Sequence, residues 1–99
     1  MDNKIEHNFE INLEIQEPKK YKVLLLNDDI STMEFVIDIL KNIFRKSLNE
    51  SETIMLDVHN KGKAVCGIYT HEIASTKIAQ VKYNAQKAGY PLKAILEEE

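Results

Sequence analysis

One short stretch near the start of the chain constrains the fold more than any other. An apolar run, Val23 to Leu26, is typical of a strand buried on both faces. It ends at three short polar residues, Asn27-Asp28-Asp29, which favour a turn. Ser31 and Glu34 then have the spacing of a capping box, so we predict that a helix starts near Thr32. This strand, acidic loop and helix would present polar groups on a surface loop at one edge of the domain, where binding residues are common.

The rest of the chain predicts two further helices and two further strands. Asn49 and Glu52 suggest a second capping box, whereas the sequence Thr53–Val58 is also compatible with a strand. The cap, together with Gly62 as a left-handed helix end, favours the helix. Gly89 is predicted to end the third helix, which Thr70 caps. The predicted elements are strand Lys20–Asn27, helix Thr32–Lys46, helix 49–59, strand Ala64–Tyr69, helix 70–88 and strand Leu92–Leu96.

This order of elements predicts a single α/β (α+β) domain. Strand-helix-helix-strand-helix-strand is expected to give three helices packed against a three-stranded, mainly antiparallel sheet. Residues 19–99 would form this domain, with residues 1–18 as a flexible N-terminal extension. Apolar residues alternate within the extension, a pattern compatible with a strand, but acidic residues dominate and no turn folds it back.

Composition restricts the class of protein. The 99 residues, 43% of them hydrophobic and 29% charged, suit one soluble domain with a modest core. A net charge of −3 argues against nucleic acid or an anionic membrane as the partner. Cys66 is the one cysteine, and the chain shows neither a secretory signal nor a membrane-length apolar run. We therefore expect a cytoplasmic monomer.

Catalytic motifs are missing from the sequence. His71-Glu72-Ile73-Ala74-Ser75 begins like a zinc-protease motif but has Ser75 where the second histidine is needed. Cys66 lies in an apolar strand and is most simply a buried small hydrophobic residue. No glycine-rich phosphate loop is present. We expect no enzymatic activity, no cofactor and no metal.

Two groups of residues allow a functional interpretation beside a purely structural one. Asp28 and Asp29 at a strand end suit a solvated turn, or Mg²⁺ binding as in receiver-like phosphotransfer modules, although the chain is short for a receiver. His59 suits a helix-capping role, but it follows Met55 by one helical turn. An apolar wall and a ring nitrogen could therefore share one cavity. A generic interaction domain, similar to the C-terminal domain of the ribosomal stalk protein, is a further alternative.

Several separated motifs, in order and in spacing, resemble the bacterial adaptor family ClpS. They are Asn27-Asp28-Asp29, then Met33-Glu34-Phe35-Val36, then His59-x-x-Gly62-Lys63-x-x-Cys66-Gly67, and the likeness runs from about Tyr21 to Leu96. The family delivers proteins with particular N-terminal residues to the ClpA unfoldase of the ClpAP protease. The resemblance implies a compact α/β domain that binds a free N-terminal Phe, Tyr, Trp or Leu. It also implies that the N-terminal extension engages the unfoldase.

The resemblance also implies which residues bind. Asn27, Asp28 and His59 would hold the α-amino group of the substrate. The walls and rim of the side-chain pocket would be Asp29, Ser31, Thr32, Met33, Val36, Met55, Val58 and Leu92. Met33 would act as a gatekeeper against β-branched side chains, and Glu72 and Lys77 would touch ClpA. Members of the family usually carry Thr in place of Ser31 and Pro in place of Thr32, so the missing methyl group of Ser31 would widen the pocket slightly.

Overall fold

Six helices and strands follow one another along residues 18–99, the part of the chain that the computed structural model describes. They are β1 (Lys20–Leu26), α1 (Met33–Asn42), α2 (Leu48–Lys61), β2 (Lys63–Thr70), α3 (His71–Ala88) and β3 (Lys93–Glu98). The predicted fold class and order are confirmed. The predicted extension lies outside the described residues, apart from Pro18.

The sheet has the strand order β2-β1-β3, and both strand pairs are antiparallel. The first strand therefore occupies the centre, which explains its continuous apolar sequence. Val23 and Leu25 face the helices and are 0% exposed, and Leu24 on the other face is only 4% exposed. On that face Lys63 and Glu97 form an ion pair (3.4 Å) that joins β2 to β3 across the central strand.

The hydrophobic core lies between the sheet and the three helices. Its fully buried members include Leu40 of α1, Val81 and Ala74 of α3, and Cys66 of β2. Burial raises the pKa of the Cys66 thiol to about 12, despite a backbone hydrogen bond and a lysine that lower it. The thiol therefore stays protonated at neutral pH, consistent with its interpretation as a packed hydrophobic group.

Helix α1 differs from the prediction at both ends. Its N-cap is Thr32, whose Oγ1 accepts a hydrogen bond from the Phe35 N–H (3.1 Å). The predicted cap, Ser31, instead bonds to Asp28. The helix ends at Asn42, four residues before the predicted Lys46, because Arg45 adopts a left-handed conformation (φ 58°). Such a conformation costs a non-glycine residue free energy and interrupts the helix.

Helix α2 starts earlier than predicted and ends close to its predicted end. The predicted capping box of Asn49 and Glu52 is wrong, because Ser47 and Glu50 form the box (Glu50 N to Ser47 Oγ, 3.1 Å; Ser47 N to Glu50 Oε1, 2.9 Å). Gly62 ends the helix in the left-handed conformation (φ 90°), as predicted. The structure therefore confirms a helix, and not a strand, over Thr53–Val58.

The last two elements are close to their predicted bounds. Gly89 ends α3 with a left-handed conformation (φ 84°), as predicted, although the side chain of Thr70 makes no capping hydrogen bond. Strand β3 begins one residue later than predicted and extends two residues beyond its predicted end, through Glu98. The pairing of Glu97 with Lys22 and of Glu98 with Tyr21 extends the strand to these residues.

Candidate functional site

A cavity of about 410 Å³ opens where the end of β1, the start of α1 and the last turns of α2 meet. All eleven residues that the sequence assigned to the substrate site line it. The full lining is Leu26, Asn27, Asp28, Asp29, Ile30, Ser31, Thr32, Met33, Val36, Met55, Val58, His59 and Leu92. Leu26 and Ile30 were not predicted. Ile30 had a usable signal, since it is a large apolar residue inside a polar turn.

One backbone hydrogen bond brings the two halves of this site together. The Asn27 N–H, directly after β1, donates to the carbonyl oxygen of Gly62 (2.8 Å). Gly62 caps α2, and its own N–H donates to Val58 O (3.0 Å). His59 lies in the last turn of the same helix. The bond therefore fixes the end of the strand beside the helix end that carries His59.

The turn after β1 is organised by the Asp28 carboxylate. Its Oδ1 accepts from the backbone N–H groups of Ile30 (2.8 Å) and Ser31 (2.6 Å), and its Oδ2 accepts from the Ser31 hydroxyl (2.8 Å). Partial burial acts to raise the pKa of Asp28, but the hydrogen bonds from Ser31 and Ile30 prevail and lower it. Asp28 is therefore ionised at neutral pH, and Oδ2 retains one free acceptor position.

The floor of the cavity is apolar. Val36, Met55, Val58 and Leu92 are all at most 9% exposed, and they come from α1, from α2 and from the residue before β3. Met33, in the first turn of α1, is 51% exposed and stands at the mouth of the cavity. Methionine side chains adapt their shape to a neighbouring group, which suits a residue at an entrance.

The rim is rich in hydrogen-bond acceptors and negative charge. Asn27, Asp29 and His59 are exposed, and Asp28 is half-buried. No lysine or arginine is among the residues that line the cavity. Two carboxylates without a basic neighbour in the lining favour a cation at the rim. The site as a whole suits a ligand with an apolar group next to a positive charge.

The residues present do not fit the Mg²⁺ alternative well. Within residues 18–99 no group of three or more His, Cys, Asp or Glu side chains is placed to hold a metal ion. The Asp28 carboxylate already accepts three hydrogen bonds within the turn, which leaves one position on Oδ2 for a metal ion. The three-stranded antiparallel sheet also differs from the five-stranded sheet of a receiver.

Glu72 and Lys77 lie on α3 and do not line the cavity. Glu72 is exposed in the first turn of the helix. The Lys77 ammonium donates a hydrogen bond to the carbonyl oxygen of Ile43, the C-cap of α1 (2.7 Å), and lies 5.8 Å from the centre of the Tyr69 ring. Lys77 therefore has a structural role in addition to any contact with a partner. In the described part of the chain, no helix is both long and apolar enough to cross a membrane.

Comparison with known proteins gives one consistent family. The family described as ATP-dependent Clp protease adaptor protein ClpS matches residues 16–95. The Wolinella succinogenes protein described as ATP-dependent Clp protease adapter protein ClpS is 54% identical over 84 residues, covering 85% of this chain and 82% of that protein. The protein of the same description from Acetivibrio thermocellus is 50% identical over 90 residues, covering 91% of each chain.

A solved structure agrees with these sequence matches. The structure of Agrobacterium tumefaciens ClpS2 bound to L-phenylalaninamide superimposes with a TM-score of 0.81 at 40% identity, covering 84% of this chain and 100% of that one. The shared fold, together with sequence identity of 50% or more to the two relatives over most of the chain, shows common descent. The chain belongs to the ClpS family of ATP-dependent Clp protease adaptor proteins.

Proposed function

We propose that this adaptor recognises proteins that begin with Phe, Tyr, Trp or Leu and delivers them to the ClpA unfoldase of the ClpAP protease. The observation that carries the proposal is the cavity itself, in which a buried apolar floor lies beneath an acceptor-rich rim free of basic residues. A protein N-terminus combines the two matching groups, because the α-ammonium and the first side chain are attached to the same carbon atom.

The rim residues supply acceptors for the ammonium group. A protonated amine has three N–H donors and no acceptor. Asn27 offers its side-chain carbonyl, Asp28 its remaining acceptor position on Oδ2, and His59 an unprotonated ring nitrogen. The Asp28 bond is charge-assisted and therefore among the stronger kinds. An acetylated N-terminus would lack the charge and most of the donors, leaving these acceptors unmatched.

The apolar floor supplies most of the affinity for the first side chain. An aromatic side chain buries about 150–250 Å². At about 25 cal/mol per Å² this corresponds to roughly 4–6 kcal/mol before the entropy of binding is subtracted. Met33 narrows the mouth and disfavours side chains that branch at Cβ. Ser31 keeps the hydroxyl that Asp28 requires, while the missing methyl group of threonine leaves slightly more space near the rim.

The ligand of the related structure supports this assignment. L-phenylalaninamide, bound to the Agrobacterium tumefaciens protein, has a free α-amino group and an aromatic side chain. These are the two groups for which the cavity of the present chain has partners.

Fluorescence anisotropy with three labelled peptides tests recognition. We expect micromolar or tighter binding of a peptide that begins with Phe, and much weaker binding of its N-acetylated form and of a peptide that begins with Val. Asn27→Ala and His59→Ala should each weaken binding without unfolding the domain. Equal binding of all three peptides would instead support a generic interaction domain, and unchanged affinity in both variants would contradict the assigned amine site.

Delivery is proposed to occur from a separate surface. Glu72 and Lys77 on α3 would contact ClpA, the N-terminal extension would engage the unfoldase, and the adaptor would act as a cytoplasmic monomer. ATP hydrolysis and peptide cleavage would belong to the partner proteins. Glu72→Lys should leave peptide binding unchanged, because this exposed residue lies outside the cavity, and should slow degradation of a Phe-initiated substrate by purified ClpAP. Unchanged degradation would remove Glu72 from the proposed interface.

A further inference from the structure

One large apolar residue of the cavity lining has no place in the hydrophobic core. Ile30 lies in the polar turn between β1 and α1 and is 65% exposed. It belongs neither to the buried core nor to the partly buried residues packed against that core. A single exposed isoleucine is ordinary on a protein surface. At the rim of a binding cavity, however, it offers apolar surface that a ligand can cover, and covering it favours binding.

The turn holds Ile30 close to the proposed amine site. The Ile30 N–H donates to Oδ1 of Asp28 (2.8 Å), and the Ser31 N–H donates to the same oxygen (2.6 Å). Oδ2 of this carboxylate has the acceptor position that we propose for the ammonium group of the substrate. A hydrogen bond of about 2.9 Å to Oδ2 would put the ammonium nitrogen within about 8 Å of the Ile30 nitrogen. One carboxylate therefore sets the position of Ile30 relative to the bound N-terminus.

The second residue of a substrate would lie within this distance. Its Cα is about 3.8 Å from the first Cα, which itself carries the ammonium group. Side chains of consecutive residues in an extended peptide point to opposite sides. With the first side chain on the apolar floor, the second is directed away from the floor, towards the rim. Ile30 is the most exposed apolar residue of the lining, ahead of Met33 at 51%.

We propose that Ile30 is a specificity-determining residue that contacts the second side chain of the substrate. This inference rests on the proposed function and extends it by one position of the substrate. An apolar second side chain such as leucine covers Ile30, so apolar surface of both residues is removed from water. A serine at this position covers less of Ile30 and makes no comparable contact. The adaptor therefore prefers, among substrates with the same first residue, those whose second residue is apolar.

Two labelled peptides that differ only at the second residue test this contact. Peptides that begin with Phe-Leu and Phe-Ser are compared by fluorescence anisotropy. Burial of about 50 Å² of apolar surface corresponds to a roughly eightfold change in affinity, so we expect the unmodified protein to prefer Phe-Leu by about 3- to 10-fold. Ile30→Ala should weaken Phe-Leu binding alone and reduce the preference to less than about twofold. Ile30→Leu keeps an apolar side chain of the same size and should retain the preference.

Leu56→Ala is the matched control. It shortens an apolar side chain of α2 that is 47% exposed and does not line the cavity. Both affinities should stay the same in this variant. The thermal midpoint of Ile30→Ala should equal that of the unmodified protein, because Ile30 lies outside the core. A change in peptide preference is then not caused by partial unfolding.

The outcomes separate this inference from the proposed function. Equal binding of the two peptides by the unmodified protein would overturn the inference and leave recognition of the first residue intact. Equal weakening of both peptides by Ile30→Ala would also overturn it, because the effect would not depend on the second residue. Loss of the preference in Leu56→Ala would show that the preference does not arise at Ile30. Failure of both peptides to bind the unmodified protein would refute the proposed function itself, and this inference with it.

Discussion

The negative charge of Asp28 should matter for binding far more than for folding, and Asp28→Asn separates the two roles. In the turn, Oδ1 of the side chain accepts from two backbone N–H groups, and the carbonyl oxygen of asparagine can do the same. The Ser31 hydroxyl, now bonded to Oδ2, can rotate to accept from the new amide group. The turn is therefore retained, with a loss of about 0.5–1.5 kcal/mol in the free energy of unfolding.

Binding should be affected much more strongly. The remaining acceptor position on Oδ2 becomes an N–H donor, which opposes the ammonium group of the substrate. Losing a charge-assisted hydrogen bond costs roughly 1.5–3 kcal/mol, equivalent to a roughly 10- to 150-fold weaker affinity for the Phe-initiated peptide. Asp28→Ala should also lose the turn hydrogen bonds, and its thermal midpoint should fall below that of Asp28→Asn.

Asp38→Asn is the matched control. It removes the same charge from an exposed residue of α1 that does not line the cavity and whose side chain makes no hydrogen bond within residues 18–99. We expect an effect of no more than about threefold, since an exposed charge is screened by solvent. Peptide anisotropy and thermal unfolding on the same three variants provide the measurements. If Asp28→Asn bound as tightly as the unmodified protein, the carboxylate would not contact the amine, and the reasoning would fail.

Three further predictions concern stability. Because hydrogen bonds lower the pKa of Asp28 in the folded state, its ionised carboxylate stabilises the fold at pH values above the ordinary pKa of about 3.9. This stabilisation is lost as the pH falls through the lower pKa of the folded state. Acid unfolding of the unmodified protein should show the loss, and acid unfolding of Asp28→Asn should not. The buried Ser51 hydroxyl has no hydrogen-bond partner among the described residues, so Ser51→Ala should raise the unfolding free energy by about 1 kcal/mol in urea titrations, whereas the exposed Asn60→Ala should not. Gly67→Ala should lower it by about 1–2 kcal/mol, because the added Cβ would collide with the Tyr69 ring; an unchanged urea midpoint would show that the ring moves aside freely.

Much of the fold was readable from the sequence because strong local signals agreed with each other. The buried run Val23–Leu26 indicated a central strand, and Gly62 and Gly89 ended their helices with positive φ, as predicted. The errors arose where two local signals competed. Ser31 has the spacing of a helix cap, but the Asp28 carboxylate bonds to it first, and Thr32 takes the capping role.

Other features of the structure could not be predicted, because no local sequence pattern indicated them. Arg45 ends α1 by adopting a left-handed conformation, although arginine favours helices and no glycine marks the position. The location of the cavity depends on the hydrogen bond between Asn27 and Gly62, which joins residues 35 positions apart. Periodicity cannot reveal such a contact. Residue roles at the site came from the family motifs, and the structure adds that their positions converge on one cavity.

The central position of β1 also determines when the domain can form during synthesis. Tyr21 of β1 pairs with Tyr69 of β2 on one side and with Glu98 of β3 on the other. The first strand to be synthesised therefore acquires its second partner only after the last strand has been synthesised. Leu92, part of the cavity floor, is likewise made near the end. A nascent chain stopped before residue 92 would therefore carry the amine-binding motif without a complete pocket. Loss of β3 by proteolysis should inactivate the adaptor in the same way, although every rim residue would remain.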